Sequence, residues 1–427
     1  MKPDGNTYLS TASVEITPQS PISLSGYAGR TEPYTNVASE LEANLLYFCQ
    51  GNDRTVLIQI DTLFPSLELK NAISKVVDAP CEVLIVASHT HYAPSLDPQK
   101  PMLGRVSAEY FAEVVDKIST SINAIADRGK TCGRFKAKTT VCAQGISRRL
   151  RALSVNTRFP FVKYEVAIIP NSQENIDTSL RTFSFLDADD GTEAVIWSWA
   201  CHPVGIPHSE GLNVSSHYIG YVRDRLRKLF GRKVAVLFLP GFMGDIRPNF
   251  CTKRPKLSQR LRNPLTKDYF AIPTSEVYEN FCRAVGDSTI AAISAHDAEL
   301  YPLEVKRVKR DWIPLSELFT DAQNRSLPIA DLSLNDEISF LFVGAEVSNG
   351  YASGQESSLR PGVVPVGYFE EVFGYLPTDR QIREGGYEVN GFQHAFGVRG
   401  QMRDELQQRF YNRIRGLYDK IKTTPCE

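Results

Sequence analysis

No charge of one sign dominates this chain: 48 lysines and arginines stand against 49 aspartates and glutamates in 427 residues. No global field therefore points to nucleic acid or to an anionic membrane, and partners must be argued from a site. No apolar run approaches the length of a bilayer span, and Met1–Ser13 is polar, without the apolar centre of a leader peptide. The expectation is a cytoplasmic protein with no integral membrane segment and no nucleic-acid partner. Cys-X-X-Cys pairs are missing too, the eight cysteines being scattered and several lying in apolar runs. Buried, reduced thiols are expected in place of a disulfide frame or a thiolate zinc site. There is no Gly-X-Ser-X-Gly elbow for a serine nucleophile, and the loop Gly244-Asp-X-X-Pro-Asn249 is weak as a phosphate cradle because no Gly-Lys-Ser/Thr accompanies it.

Histidine is also scarce, with seven in all, and two of them stand one residue apart. The run Val83–Pro94 reads V-L-I-V-A-S-H-T-H-Y-A-P, a buried strand ending in His89-Thr90-His91. Side chains alternate along a strand, so both imidazoles emerge on one side of its mouth. His202 ends a comparable run, V-I-W-S-W-A-C-H-P, from Val195 to Pro203. A His-X-His and a distant His-Pro can converge at one end of a sheet.

The hydrophobic share of 42% suits a soluble globular chain with a sizeable core. Val14–Pro18 reads as a short strand entering the turn Gly26-Tyr-Ala-Gly29, which lets backbone approach a neighbour closely. Leu45–Cys49 and Val56–Asp61 read as a hairpin around Gly51-Asn-Asp, with Asp61 placed to orient a histidine or cap a turn. Ser107–Asp127 is an amphipathic helix, with Phe111, Val114, Val115, Ile118, Ile122 and Ile125 at helical spacing. Thr139–Gly145 is strand-like and leads to Ile146-Ser-Arg-Arg-Leu-Arg151, a solvated edge unless one arginine grips an anion. His217–Phe230 is expected as a helix with arginines outward, and Thr274–His296 as one with Val277, Phe281, Val285 and Ile290 inward. Leu303–Trp312 and Ile338–Val343 read as strands and Asp404–Ile421 as a closing helix. Lys253–Lys267 is basic and broken by prolines, a surface insertion in a single catalytic domain spanning 1–427. From Gly344 to Gly400 the chain is rich in loops and tyrosines, as expected for an ordered region covering a cleft.

Imidazoles of His89, His91 and His202, with a carboxylate from Asp61, Asp245 or Glu346, match the taste of zinc for nitrogen with one oxygen ligand. Strand-end histidines can instead be satisfied core residues. Cys201 offers a nucleophile, although its direct neighbour His202 points to the opposite face of the strand.

S-H-T-H-X-A-P, the later His-Pro after a strand, Gly244-Asp-X-X-Pro-Asn249, the early G-Y-A-G, and Gly374-Tyr-X-X-Thr378 followed by Tyr387-Glu388 resemble, as an ordered set, the neutral ceramidase family of zinc amidases. The resemblance runs from about Val14 to Tyr387. It implies an α/β fold of mixed β-sheets with outer helices and one Zn2+ per chain, held by His89, His202, Glu346 and Tyr375. It also implies that His91, Arg148 and Tyr387 contact the substrate carbonyl and the attacking water. Differences fall at Ser95-Leu96, Ser147-Arg148-Arg149 and Ala345-Glu-Val-Ser-Asn-Gly350, and the chain ends about forty residues after Tyr387. A short form without a C-terminal sandwich domain is expected, acting on a small or amphiphilic N-acyl, lipid-like compound in place of ceramide itself. Ester or lactone hydrolysis at the same zinc, and metal-free binding on the same scaffold, are the alternative readings.

Overall fold

Leu45 and Leu46 are neighbours in the strand Glu42–Gln50, both fully buried, yet they enter different apolar clusters on opposite faces of one sheet. The computed structural model describes residues 7–78, 80–155, 161–320, 324–353 and 357–419. The first five-stranded sheet has the order Glu82–Ala87, Asp53–Ile60, Glu42–Gln50, Thr7–Glu15, Lys130–Thr131. Its first two strands are parallel and the others antiparallel. The predicted hairpin pairs Ala43 with Ile60 and Gln50 with Asp53. Helices Leu67–Val76 and Ala108–Ile125 cover the outer face, packing Leu69, Ile73, Val114, Ile118 and Ile122 against Ile58 and Ile85. Each such side chain contributes about 1.5–3 kcal/mol through burial.

The second five-stranded sheet runs Ala235–Pro240, Thr192–Trp199, Ser179–Leu186, Arg134–Val141, Glu299–Pro302, again with its first two strands parallel. Helices His217–Phe230 and Ser275–Ile293 close its outer face, packing Tyr218 and Phe281 over Trp197 and Phe238. The inner faces of the two sheets share one cluster containing Phe48, Leu84, Phe183, Ile196 and Leu237. This produces helices, sheet, sheet, helices, the mixed α/β architecture expected. A four-stranded sheet, Lys309–Pro314, Ser326–Ser333, Ser339–Val343 and Val363–Val366, joins the same inner cluster on one face. The other face meets the helix Leu406–Asp419. The expected end of that helix at Ile421 lies outside the described residues.

Gly367–Glu370 links the edges of the two five-stranded sheets. The Gly367 amide donates to Pro240 O at 3.0 Å, the Ala87 amide to Tyr368 O at 3.1 Å, and the Glu370 amide to Ile85 O at 2.9 Å. The loops that leave Ala87, Trp199 and Pro240 therefore come out together, and these loops carry His89, His202 and Asp245.

Several local expectations are corrected. The helix Leu67–Val76 was not anticipated; Ser66 starts it, its hydroxyl accepting from the Leu69 amide at 3.1 Å. Gly145–Val155 is one strand, and Arg148 and Arg149 are buried in it, not set on a solvated edge. Leu303–Trp312 splits, with strands at Glu299–Pro302 and Lys309–Pro314. Val277 is 48% exposed, not inward. Arg223 is buried, held 2.7 Å from Asp61 Oδ2. That pairing also removes Asp61 from the histidines.

Candidate metal centre

His89 turns out of its strand with a φ of 64°, a strained conformation for a residue with a Cβ. Its Nδ1 lies 2.9 Å from Leu63 O. A carbonyl can only accept, so Nδ1 carries the proton and Nε2 keeps its lone pair. His202 is fixed in the same way, with Nδ1 2.7 Å from Met243 O and 3.0 Å from Ile246 O. Glu346 opens a short strand, Glu346–Val347, paired in parallel with Tyr375–Leu376, and Glu346 sits in register with Tyr375. Gly244 brings its loop against this pair: a Cβ there would lie 2.6 Å from Glu346 O. The Gly-Asp loop thus positions Glu346. Asp245 itself accepts from the Asn349 amide and from Gln381 Nε2, both at 2.7 Å, and is spent on those contacts.

Glu346 Oε2 lies 3.1 Å from His202 Nε2 and 3.5 Å from His89 Nε2. His91 Nε2 lies 3.3 Å from His89 Nε2. Around a zinc ion with bonds of about 2.0–2.1 Å, tetrahedral ligand atoms sit about 3.3–3.4 Å apart. Two imidazole lone pairs aimed at a carboxylate oxygen repel one another unless a cation or proton lies between them. This donor set therefore fits a divalent metal. The ligand atoms of His89, His91 and His202 all lie within 4.8 Å of each other.

Burial pushes the His89 pKa down to about 3, and it drives His202 well below its usual value, with Arg148 adding to that shift. His91 is likewise pushed well below its ordinary range, first by burial and then by the two neighbouring imidazoles. It is a neutral base at neutral pH. Burial raises the Glu346 carboxyl, against the opposing pull of His89 and Arg148 and hydrogen bonds from Tyr375 and Tyr368.

Arg148 donates through Nη2 to the Tyr375 hydroxyl at 3.1 Å and through Nε to Glu388 Oε1 at 2.7 Å. Its guanidinium lies 5.6 Å from the centre of the Tyr387 ring. All seven sequence-predicted site residues thus fall in one connected neighbourhood. His91 and Tyr387 are half-buried while the other five are buried, so the cluster opens toward those two and the exposed Tyr27. The Gly26-Tyr-Ala-Gly29 turn packs here: Gly26 has φ +104°, and a Cβ on it would stand 2.6 Å from His91 Nδ1.

Other residues of the neighbourhood were not singled out from sequence. Tyr368 donates to Glu346 Oε2 at 3.2 Å and lays its ring 4.1 Å from that of His89. Glu388 binds both Arg148 and Arg149; its adjacency to Tyr387 was the available signal. Arg30 donates to the carbonyls of Ser25 and His91. Arg247 rests over Phe270 at 4.6 Å, with no carboxylate partner among the described residues. Cys201 lies in the core under the helix His217–Phe230, and burial drives its thiol pKa well up, so nothing prepares it as a nucleophile.

Among solved structures, neutral ceramidase from Pseudomonas aeruginosa superposes with a TM-score of 0.68, over 96% of this chain and 73% of that chain, at 14% identity. A ceramidase complexed with C2 gives 0.67 over 96% and 74%, at 13% identity. The chain has the ceramidase fold. No protein-family model and no curated protein matches the sequence. At these identities the likeness establishes the architecture that carries the histidine cluster. No described helix is long and apolar enough to cross a membrane.

Proposed function

We propose that this chain, as one catalytic domain, is a zinc-dependent hydrolase that cleaves a linear N-acyl amide bond in a small or amphiphilic substrate. The observation that carries the reading is the convergence of two imidazoles on Glu346 Oε2, His202 Nε2 at 3.1 Å and His89 Nε2 at 3.5 Å, each imidazole locked by a backbone carbonyl. The ceramidase fold supports the amide as the bond that is cut.

His89, His202, Glu346 and Tyr375 would hold the ion. Zinc bound there supplies a Lewis acid for the carbonyl and lowers the pKa of water toward neutrality. Arg148 and Tyr387 face the same space and present N–H and O–H donors for the negative charge that develops on the carbonyl oxygen. Glu388 keeps the Arg148 guanidinium oriented and charged. His91, neutral and half-buried, takes a proton from the attacking water and returns it to the departing amine. The Gly26 turn fixes the plane of its ring.

The test is hydrolysis of a reporter N-acyl amide beside the matching ester. The expected result is amide cleavage that stops with chelator, returns with zinc and ignores thiol alkylation. His91→Ala should slow turnover by about 10²–10⁴ while the protein keeps its metal. Turnover indifferent to chelators would overturn the proposal. Cleavage of the ester alone would move the assignment to ester or lactone hydrolysis.

A further inference from the structure

The basic stretch Lys253–Lys267 plays no part in the chemistry above, and its surroundings give it another use. Between the short strands Cys251–Thr252 and Tyr269–Phe270 it forms a helix, Leu257–Arg262, that stands out from the body of the protein. Leu257, Leu261 and Leu265 recur every fourth residue and are 72%, 63% and 71% exposed. They are surrounded by Lys253, Arg254, Lys256, Arg260, Arg262 and Lys267, all exposed, and no carboxylate occurs from Lys253 to Lys267. Scattered exposed leucines need no explanation, but three on one projection ringed by six cations do.

The patch continues onto the neighbouring strand Val162–Asn171. Val162, Tyr164 and Ile168 are exposed and share one face by alternation. Tyr164 and Leu265 line the same shallow cleft of about 350 Å³. The projection is anchored by defined contacts: Asn263 Nδ2 donates to Ser154 Oγ at 2.9 Å, and the Tyr269 hydroxyl donates to Asn263 O at 2.6 Å. Phe270, at its far end, lies under Arg247, which directly follows Ile246, the residue whose carbonyl helps to hold His202.

We infer that Lys253–Lys267, with the apolar face of Val162–Asn171, is a docking surface for an anionic lipid bilayer. Leucines flanked by lysine and arginine match an interface that is apolar below and negatively charged above, and each cation near such a surface strengthens attachment by about fivefold. The near-neutral charge of the whole chain hides this local excess. Docking would set the Arg247 side of the histidine site toward the membrane, where amphiphilic molecules concentrate. The inference rests on the surface alone and holds whatever bond the histidine site cuts.

The test is co-sedimentation of the intact protein with vesicles of equimolar phosphatidylcholine and phosphatidylserine, beside vesicles of phosphatidylcholine alone. The parent should sediment with the mixed vesicles, much less with the neutral ones, and progressively less as salt is added. Two variants separate the contributions: Leu257→Ser/Leu261→Ser/Leu265→Ser and Lys256→Gln/Arg260→Gln/Arg262→Gln. All six positions are exposed, so melting should be unchanged, while each variant should lose binding by about tenfold or more. A parent that ignores both vesicles, leaving an acidic protein as the occupant, would overturn the inference. Equal binding to the two vesicle types, or parental binding by either variant, would do so as well.

Discussion

Replacing Glu388 with glutamine removes one charge and almost no volume, and it tests how the buried Arg148 is held. Glu388 is 1% exposed and binds Arg148 Nε at 2.7 Å and Arg149 Nη1 at 2.5 Å, both arginines being under 10% exposed. Burial raises the Glu388 carboxyl, but Arg148 and Arg149 outweigh it and hold the group below the usual carboxylate range. Glu388→Gln leaves the buried Arg148 guanidinium without its carboxylate and Arg149 with only the more exposed Glu384, at 3.4 Å, a loss of about 3–5 kcal/mol. At about 2.1 cal/mol/K per residue, 427 residues unfold with about 0.9 kcal/mol/K. The melting temperature should therefore fall by about 3–6 °C, measured by calorimetry near pH 7.5. A carboxylate with a lowered folded pKa stabilises above its unfolded value and loses that contribution as pH falls through the folded one. The gap between parent and variant should accordingly close below about pH 4.5. Adding Arg149→Met to the variant should recover part of the loss. A Glu388→Gln protein that melts within 1 °C of the parent would refute the reasoning.

Tyr375→Phe should weaken zinc retention in a chelator competition, whereas Tyr387→Phe should lower kcat and leave the metal in place. Gly26→Ala drives a methyl into His91 Nδ1 and forces an unfavourable φ; a displacement of that ring should lower turnover by about a hundredfold. His217 is enclosed by Tyr92 and Tyr278, and burial takes its pKa down to about 3. The unfolded chain takes up this proton first. Stability is full above about pH 6.5 and falls by up to about 1.4 kcal/mol per unit as pH drops toward 3. Urea titrations of His217→Gln should show a slope shallower by about one proton, and an unchanged slope would exclude His217 as a contributor.

The histidines were legible because a strand ending in His-X-His fixes side-chain direction by local geometry, and a buried strand is recognisable from its apolar run. Glu346 and Tyr375 were legible only through the ordered set of motifs, since their pairing joins short strands that have no periodicity of their own. Burial of Arg148 and Arg149 depends on Glu388, 240 and 239 residues away, and no local pattern announces it. Arg223 follows the same logic with Asp61, 162 residues away. Tyr368 adopts a φ of 57° while it links the two sheets, a conformation imposed by tertiary contacts. Nothing in the sequence of Lys253–Lys267 tells whether its leucines are buried or exposed. In each case the missing information was a partner far away in the chain, or none at all.

Metal content of the purified, untagged protein, measured by plasma mass spectrometry beside a His89→Ala/His202→Ala variant, bears most directly on the central claim. About one zinc per chain is expected in the parent and none in the variant. A parent prepared without chelators that holds no stoichiometric transition metal would contradict it and leave the scaffold with a binding role.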